Sequence, residues 1–182
     1  MTIRRPKKLG LGSAVRSGIK VALLDEDCQY VGVMDADFSH GLHDIPRLLK
    51  VVLDGVDVAI ASRYIAGGEI RGWDFKKKFL SRTANFLCRF ALRTGVKDNT
   101  TYYRVYSRKA AEAVLDVKED NYQWGVNAIL MLKDKGFQIK EIPSVFIDRT
   151  VGESKLKPIV LAAWIRYICK NAKLTRLLRM AS

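Results

Sequence analysis

The sequence has little cysteine, little acid and no long apolar run. Its three cysteines, Cys28, Cys88 and Cys169, stand far apart, and no Cys-x-x-Cys pair occurs. That spacing argues against a zinc site, and the odd count against a disulfide framework; both fit a reducing compartment. The longest clean apolar run covers residues 159–165, far short of the roughly 20 residues of a membrane-spanning helix. The basic N-terminus has no apolar segment behind it and does not read as a signal peptide. Repeats, linkers and low-complexity runs are lacking too. The protein is therefore expected in the cytoplasm, free or peripheral on the cytosolic face of a membrane.

What is present is a chain of 182 residues, 48% hydrophobic, with 32 Lys and Arg against 19 acids and a formal charge of +13. Length and apolar content suit one domain with a real core. The charge speaks of anionic partners: nucleic acid, phospholipid headgroups or phosphorylated substrates.

Periodicity predicts a helix opening near Gly12, with Ser13 as its cap, then a short buried strand over 30–34 ending in Asp35-Ala-Asp37. Helical spacing follows over 44–53, a second buried strand over 57–61, a loop at Gly67-Gly68 and a long helix over 75–92, apolar at Phe79, Leu80, Ala84, Leu87, Phe90 and Ala91. Residues 101–106 read as a strand, 109–115 and 123–134 as helices, with Gly136 closing the latter. Residues 137–147 read as a strand interrupted by Pro143, and 157–180 as a terminal helix. Alternating strands and helices give an α/β class with a mainly parallel sheet. The chain opens on a helix and has few strands, so about half of an open nucleotide-binding sheet is expected to be absent or supplied elsewhere.

Asp35 and Asp37 lie two apart at a strand end and face the same way. Two such carboxylates repel unless a cation sits between them, and hard oxygen ligands suit Mg²⁺ or Mn²⁺. An ion there can bridge a diphosphate and neutralise a leaving group; the plainer reading has one acid capping the next helix. His40 and His43 read as ordinary loop residues. Arg63 ends the next strand on the same rim, either salt-bridged to one of those aspartates or clamping phosphate. Arg71, Lys76, Lys77, Lys78, Ser81 and Arg82 form the densest basic cluster. Cations are disfavoured at a helix start, and a bound anion would relieve the cost. Arg149 and Lys155 add two cations on a glycine-bearing loop. In the terminal helix Arg166, Lys170 and Lys173 share one face opposite Leu161, Trp164, Ile165 and Ile168, which fits either an interfacial membrane contact or a core-facing helix with a wet basic side.

Six motifs then stand in order: Gly10-Leu-Gly-Ser-Ala14, Val33-Met-Asp-Ala-Asp-Phe-Ser-His40, Ala61-Ser-Arg-Tyr64, Gly67-Gly68, Leu80-Ser-Arg-Thr-Ala-Asn85 and Asp148-Arg-Thr-Val-Gly-Glu-Ser-Lys155. The set resembles the family 2 glycosyltransferases, specifically the dolichyl-phosphate mannose synthase group. The resemblance, which spans about residues 5–157, implies a GT-A (Rossmann-like) nucleotide-sugar transferase domain over 1–156, lacking its N-terminal strands; the residue pattern adds a basic amphipathic helix over 157–182. It implies transfer of a hexose, mannose from GDP-mannose by family default, onto a dolichyl or polyprenyl phosphate, with Mg²⁺ or Mn²⁺ held by Asp35 and Asp37. Ser39 then falls where some members place a polar metal-side residue. Arg63, Ser81 and Arg149 match positions associated with the phosphates of donor and lipid acceptor, and Lys77 stands where relatives often carry Arg. Two segments depart from the family: Asp98-Asn-Thr-Thr-Tyr-Tyr-Arg104 has Tyr102 in place of Gly, and Tyr122-Gln-Trp-Gly125 lacks the acid of Phe-Gln-x-Glu. Implied partners are a nucleotide sugar, a polyprenyl phosphate and a membrane surface, without nucleic acid.

Two other readings compete. A haloacid-dehalogenase-type phosphatase also uses Asp-x-Asp after an apolar strand, but that strand normally comes first, and here a helix precedes it. A basic nucleic-acid-binding module would suit +13, but interleaved aromatic and basic residues and a recognition helix are lacking.

Overall fold

The computed structural model describes residues 2–148 together with Tyr167, Ile168 and Asn171. Arg149, Lys155 and nearly all of the predicted terminal helix lie outside the described residues.

The strand Val58–Ser62 (β2) is buried along its whole length, and its side chains divide between two cores. Val58 and Ile60 enter one, Ala59 and Ala61 the other, as the two-residue period of a strand requires. A strand buried on both faces needs a layer on each. One layer holds Leu11–Ala22 (α1), Arg108–Ala113 (α4) and Trp124–Asp134 (α5), which contribute Val15, Ile19, Ala110, Trp124, Ile129 and Leu132. The other is Asp44–Leu53 (α2), through Leu48 and Val52.

The main sheet runs in the order β1 (Tyr30–Val33), β4 (Arg104–Ser107), β2, β5 (Ile139–Pro143). β2 and β5 are parallel, and β4 is antiparallel to both β1 and β2. Three strands thus share one direction, and the α/β class is as expected. The reversed strand between β1 and β2 was not foreseen, because strand order depends on contacts between residues some 45 to 75 positions apart, which local periodicity does not carry. Beside this sheet, Glu69–Arg71 (β3) pairs in parallel with Val145–Ile147 (β6). β3 is three residues long and left no periodic signal.

Helix ends follow local chemistry. The helix Phe75–Ala91 (α3) is capped by Asp74, whose carboxylate accepts from the Lys77 amide at 2.7 Å. This carboxylate answers part of the cost of three lysines in the first turn; the sequence reading gave that task to a bound anion alone. Ser13 is not the cap of α1. Gly10 takes that place without a side-chain bond, and the Ser13 amide donates to the Asp120 carbonyl at 3.3 Å. Gly136 ends α5 with φ of 81° as predicted.

α3 also corrects the expected apolar face. Of the expected residues Leu87 and Ala91 pack against the buried Cys88, Leu92, Val126 of α5 and Ile168, but Phe79 and Phe90 are exposed and the other buried residue of the helix is Asn85. Burial pushes the Cys88 thiol up to about 12, which leaves it unreactive.

Gly12 lets α1 approach α5. A Cβ there would lie 2.6 Å from both the Glu119 carbonyl oxygen and Trp124 Cβ. Gly12→Ala should cost roughly 1–3 kcal/mol through overpacking. A lower midpoint in urea with an unchanged denaturant slope checks it.

Candidate active site at the strand tips

Because β1, β2 and β5 run together and β4 against them, the ends Val33, Ser62 and Pro143 and the start Arg104 lie on one rim. In open α/β sheets, ligands bind in the crevice beyond such carboxyl ends. Asp35, Asp37 and Arg63 follow directly from these strand ends.

The Asp-x-Asp loop is pinned from several sides. Asp37 Oδ1 accepts from the Ser39 amide at 3.1 Å and the Ser39 hydroxyl at 2.5 Å. Between them Phe38 adopts φ of 59°, a left-handed conformation unusual for a bulky residue, and exposes nearly its whole side chain. Ser39 itself is buried, and its carbonyl accepts from the Ile147 amide of β6. Asp35 Oδ2 lies 3.3 Å from His40 Nε2. His40 is buried against the rings of Tyr103 and Phe146, so it supports Asp35 and is more than a loop residue. Asp35 keeps 43% of its side chain exposed.

Arg63 has a partner the sequence reading did not name. Its guanidinium forms a two-pronged pair with Asp98, Nε to Oδ2 at 2.7 Å and Nη2 to Oδ1 at 2.8 Å, and donates to Thr100 Oγ1 at 2.7 Å. The rings of Tyr64, Trp73 and Phe146 lie 5.5–5.6 Å away. The expected salt bridge to Asp35 or Asp37 is therefore replaced by one to Asp98, which is fully buried. Burial alone would raise the Asp98 pKa, but the charge and hydrogen bonds of Arg63 outweigh it and hold the carboxyl below its usual range. Burial likewise disfavours the Arg63 cation, and Asp98 again wins, so its pKa is raised.

The basic cluster divides. The Lys77 ammonium lies 3.1 Å from Asp148, the residue before Arg149. Ser81 accepts from the Tyr64 hydroxyl at 2.7 Å, which brings it to the rim. Arg82 lines a groove of about 420 Å³ with Arg63, Tyr64, Asn85, Phe86, Arg89 and Lys97. Arg71 instead pairs with its strand neighbour Glu69 on the surface.

Asp98 and Arg104 frame the segment between them. Arg104 is buried and donates to the carbonyls of Asn99, Thr101 and Gly125. The two departures from the family pattern meet here. Tyr102 Oη donates to the Tyr122 carbonyl at 3.1 Å and accepts from the Gly125 amide at 3.2 Å. A Cβ on Gly125 would lie 3.2 Å from that same hydroxyl. A large residue at 102 and a glycine at 125 thus fit each other.

Residues 2–115 match the family model described as Glycosyl transferase family 2. The chain belongs to that family. The mixed α/β sheet of this family 2 member is consistent with a GT-A fold. Its similar relatives include the polyprenol monophosphomannose synthase of Mycolicibacterium smegmatis, 36% identical over 156 residues, covering 85% of this chain and 58% of that protein. The dolichol-phosphate mannosyltransferase of Pyrococcus furiosus is 34% identical over 173 residues, covering 94% of this chain and 47% of that protein. The family 2 chain therefore spans about half the length of these relatives. Among the described residues no helix is long and apolar enough to cross a membrane, and no group of three or more His, Cys, Asp or Glu side chains forms a ready metal cage.

Proposed function

We propose that this family 2 chain carries the catalytic rim of a polyprenyl-phosphate mannosyltransferase that moves mannose from GDP-mannose to a lipid phosphate. The observation that carries the reading is the braced Asp-x-Asp loop at the strand tips, beside a groove lined by Arg63, Arg82, Arg89 and Lys97. The names of both relatives point the same way.

Asp35 and Asp37 offer hard oxygen donors, and that donor set fits Mg²⁺ or Mn²⁺. Among the described residues no group of three or more acidic, histidine or cysteine side chains forms a metal cage, and His40 Nε2 already faces Asp35; an ion held by the two carboxylates would take its remaining ligands from water and substrate phosphate. Bound there, the ion supplies charge neutralisation for the departing diphosphate. Ser39 and His40 are positioning residues: they hold the two carboxylates from behind. No general base is needed. A phosphate monoester has a second pKa of about 6 and is largely ionised near neutral pH, so its oxygen is already a nucleophile. The chain has to align that oxygen behind the anomeric carbon and offset repulsion between two anionic substrates. Arg63, locked by Asp98, gives the rim a fixed donor wall, and Lys77, Ser81, Arg82, Arg149 and Lys155 are proposed to seat the phosphate. A chain acting on a lipid-borne phosphate works peripherally on a membrane, and we place it on the cytosolic face.

Incubating the chain with GDP-[¹⁴C]mannose, a short polyprenyl phosphate and Mn²⁺ should yield radiolabel in the organic phase, lost on adding EDTA. Water-soluble mannose phosphate as the sole product, or EDTA-insensitive transfer, would refute the reading.

A further inference from the structure

Glu141 stands in β5, the edge strand of the main sheet, opposite Ile60 of β2. Its half-buried side chain leaves the sheet edge for the turn at 97–98. Each carboxylate oxygen takes one backbone amide there, Oε2 from Lys97 at 2.8 Å and Oε1 from Asp98 at 2.9 Å. Hydrogen bonds to an ionised acceptor are strong, and a two-pronged set also fixes orientation.

Both clamped residues lead to the basic groove. The Lys97 side chain is exposed and lines it. Asp98 grips the Arg63 guanidinium with both oxygens, and Arg63 lines the same groove. Residues 97–101 belong to no helix or strand, so side-chain acceptors set their place. Asn85 Oδ1 takes the Asn99 amide at 2.6 Å, and Glu141 takes the two amides before it.

We infer that Glu141 is a positioning residue for phosphate binding: by clamping two successive amides it sets the Lys97 ammonium and, through Asp98, the Arg63 guanidinium on the groove wall. A shift of this one turn would move both cations together. A carboxamide cannot replace the carboxylate, because its NH₂ would face one of the amides donor to donor. The inference rests on the lipid-phosphate reading above. It is measured by binding, without donor or turnover, so its failure and that of the transfer reaction are separable.

The test is isothermal titration of the full chain with farnesyl phosphate, a short polyprenyl monophosphate. Glu141→Gln should weaken binding roughly tenfold, and Glu141→Ala at least as much. In nuclear magnetic resonance the Arg63 Nε–H proton should exchange slowly with solvent in the wild type and faster in both variants. Gly12→Ala is the control for stability alone, since its new Cβ meets Glu119 and Trp124, neither of which lines the groove. It should keep the wild-type affinity despite its lower stability. A Glu141→Gln protein that loses stability but keeps wild-type affinity and slow Arg63 exchange would make Glu141 a structural staple and overturn the inference. A wild-type chain that does not bind farnesyl phosphate overturns it as well.

Discussion

Replacing Asp98 with alanine is expected to destabilise the chain by about 3–5 kcal/mol, because removing one member of a buried pair leaves the other charge uncompensated. Asp98 has no solvent-exposed side-chain surface. Besides the Arg63 guanidinium it accepts from the backbone amides of Arg63, Thr100 and Thr101. A loss of that size lowers the melting temperature by roughly 10 °C in a domain of this length. pH gives an independent check. The folded carboxyl sits below its usual range, so its contribution is fully present above the unfolded value of about 4 and disappears as pH falls through the lower folded value. Wild type should therefore lose stability in acid along a limb that Asp98→Asn lacks. Matching acid limbs in the two proteins would show that the pair does not hold the strand tips together.

The largest catalytic effect is expected at Asp37. Asp37→Ala should lower the turnover of lipid-linked mannose by roughly 10²–10³-fold, the range lost with one group that stabilises developing charge. The melting temperature should fall far less than in Asp98→Ala, since Asp37 is only partly buried whereas Asp98 is fully buried. Ser39→Ala, which removes a single donor to Asp37, should cost less, about tenfold. Its effect should shrink at saturating Mn²⁺ if Ser39 acts by positioning Asp37. Equal losses in the two variants at every Mn²⁺ concentration would instead make Ser39 a ligand in its own right.

The sequence made the repeating plan of this fold legible because two-residue and 3.6-residue periods survive in single segments. α2 and α5 were bounded within a residue, and β2 announced itself as five buried residues in a row. What stayed hidden depends on distant partners. The reversed strand β4 begins only at Arg104, since residues 98–101 are held in a hydrogen-bonded loop by Arg63, Asn85 and Glu141. β3 exists because β6 pairs with it. At the site, Asp35, Asp37 and Arg63 were readable as polar residues directly after apolar strands. Asp98 was not, because its role requires knowing that a residue 35 positions from Arg63 folds back against it. His40 looked ordinary because nothing local reveals that Tyr103 and Phe146 enclose it. The phenylalanines of α3 misled for a related reason: periodicity identifies a stripe but not which way it faces, and here Asn85 takes the inner side to bind the Asn99 amide at 2.6 Å.

Carboxylates at the tip of β1 gripping a cation that carries the donor diphosphate is the claim on which the functional reading stands. Electron paramagnetic resonance of Mn²⁺, titrated into the chain with and without GDP, reads that grip directly. The free-ion signal should fall cooperatively when chain and GDP are both present, and Asp35→Asn/Asp37→Asn should return it to the level of GDP alone. An undiminished bound fraction in that double variant would put the ion elsewhere and contradict the proposed site.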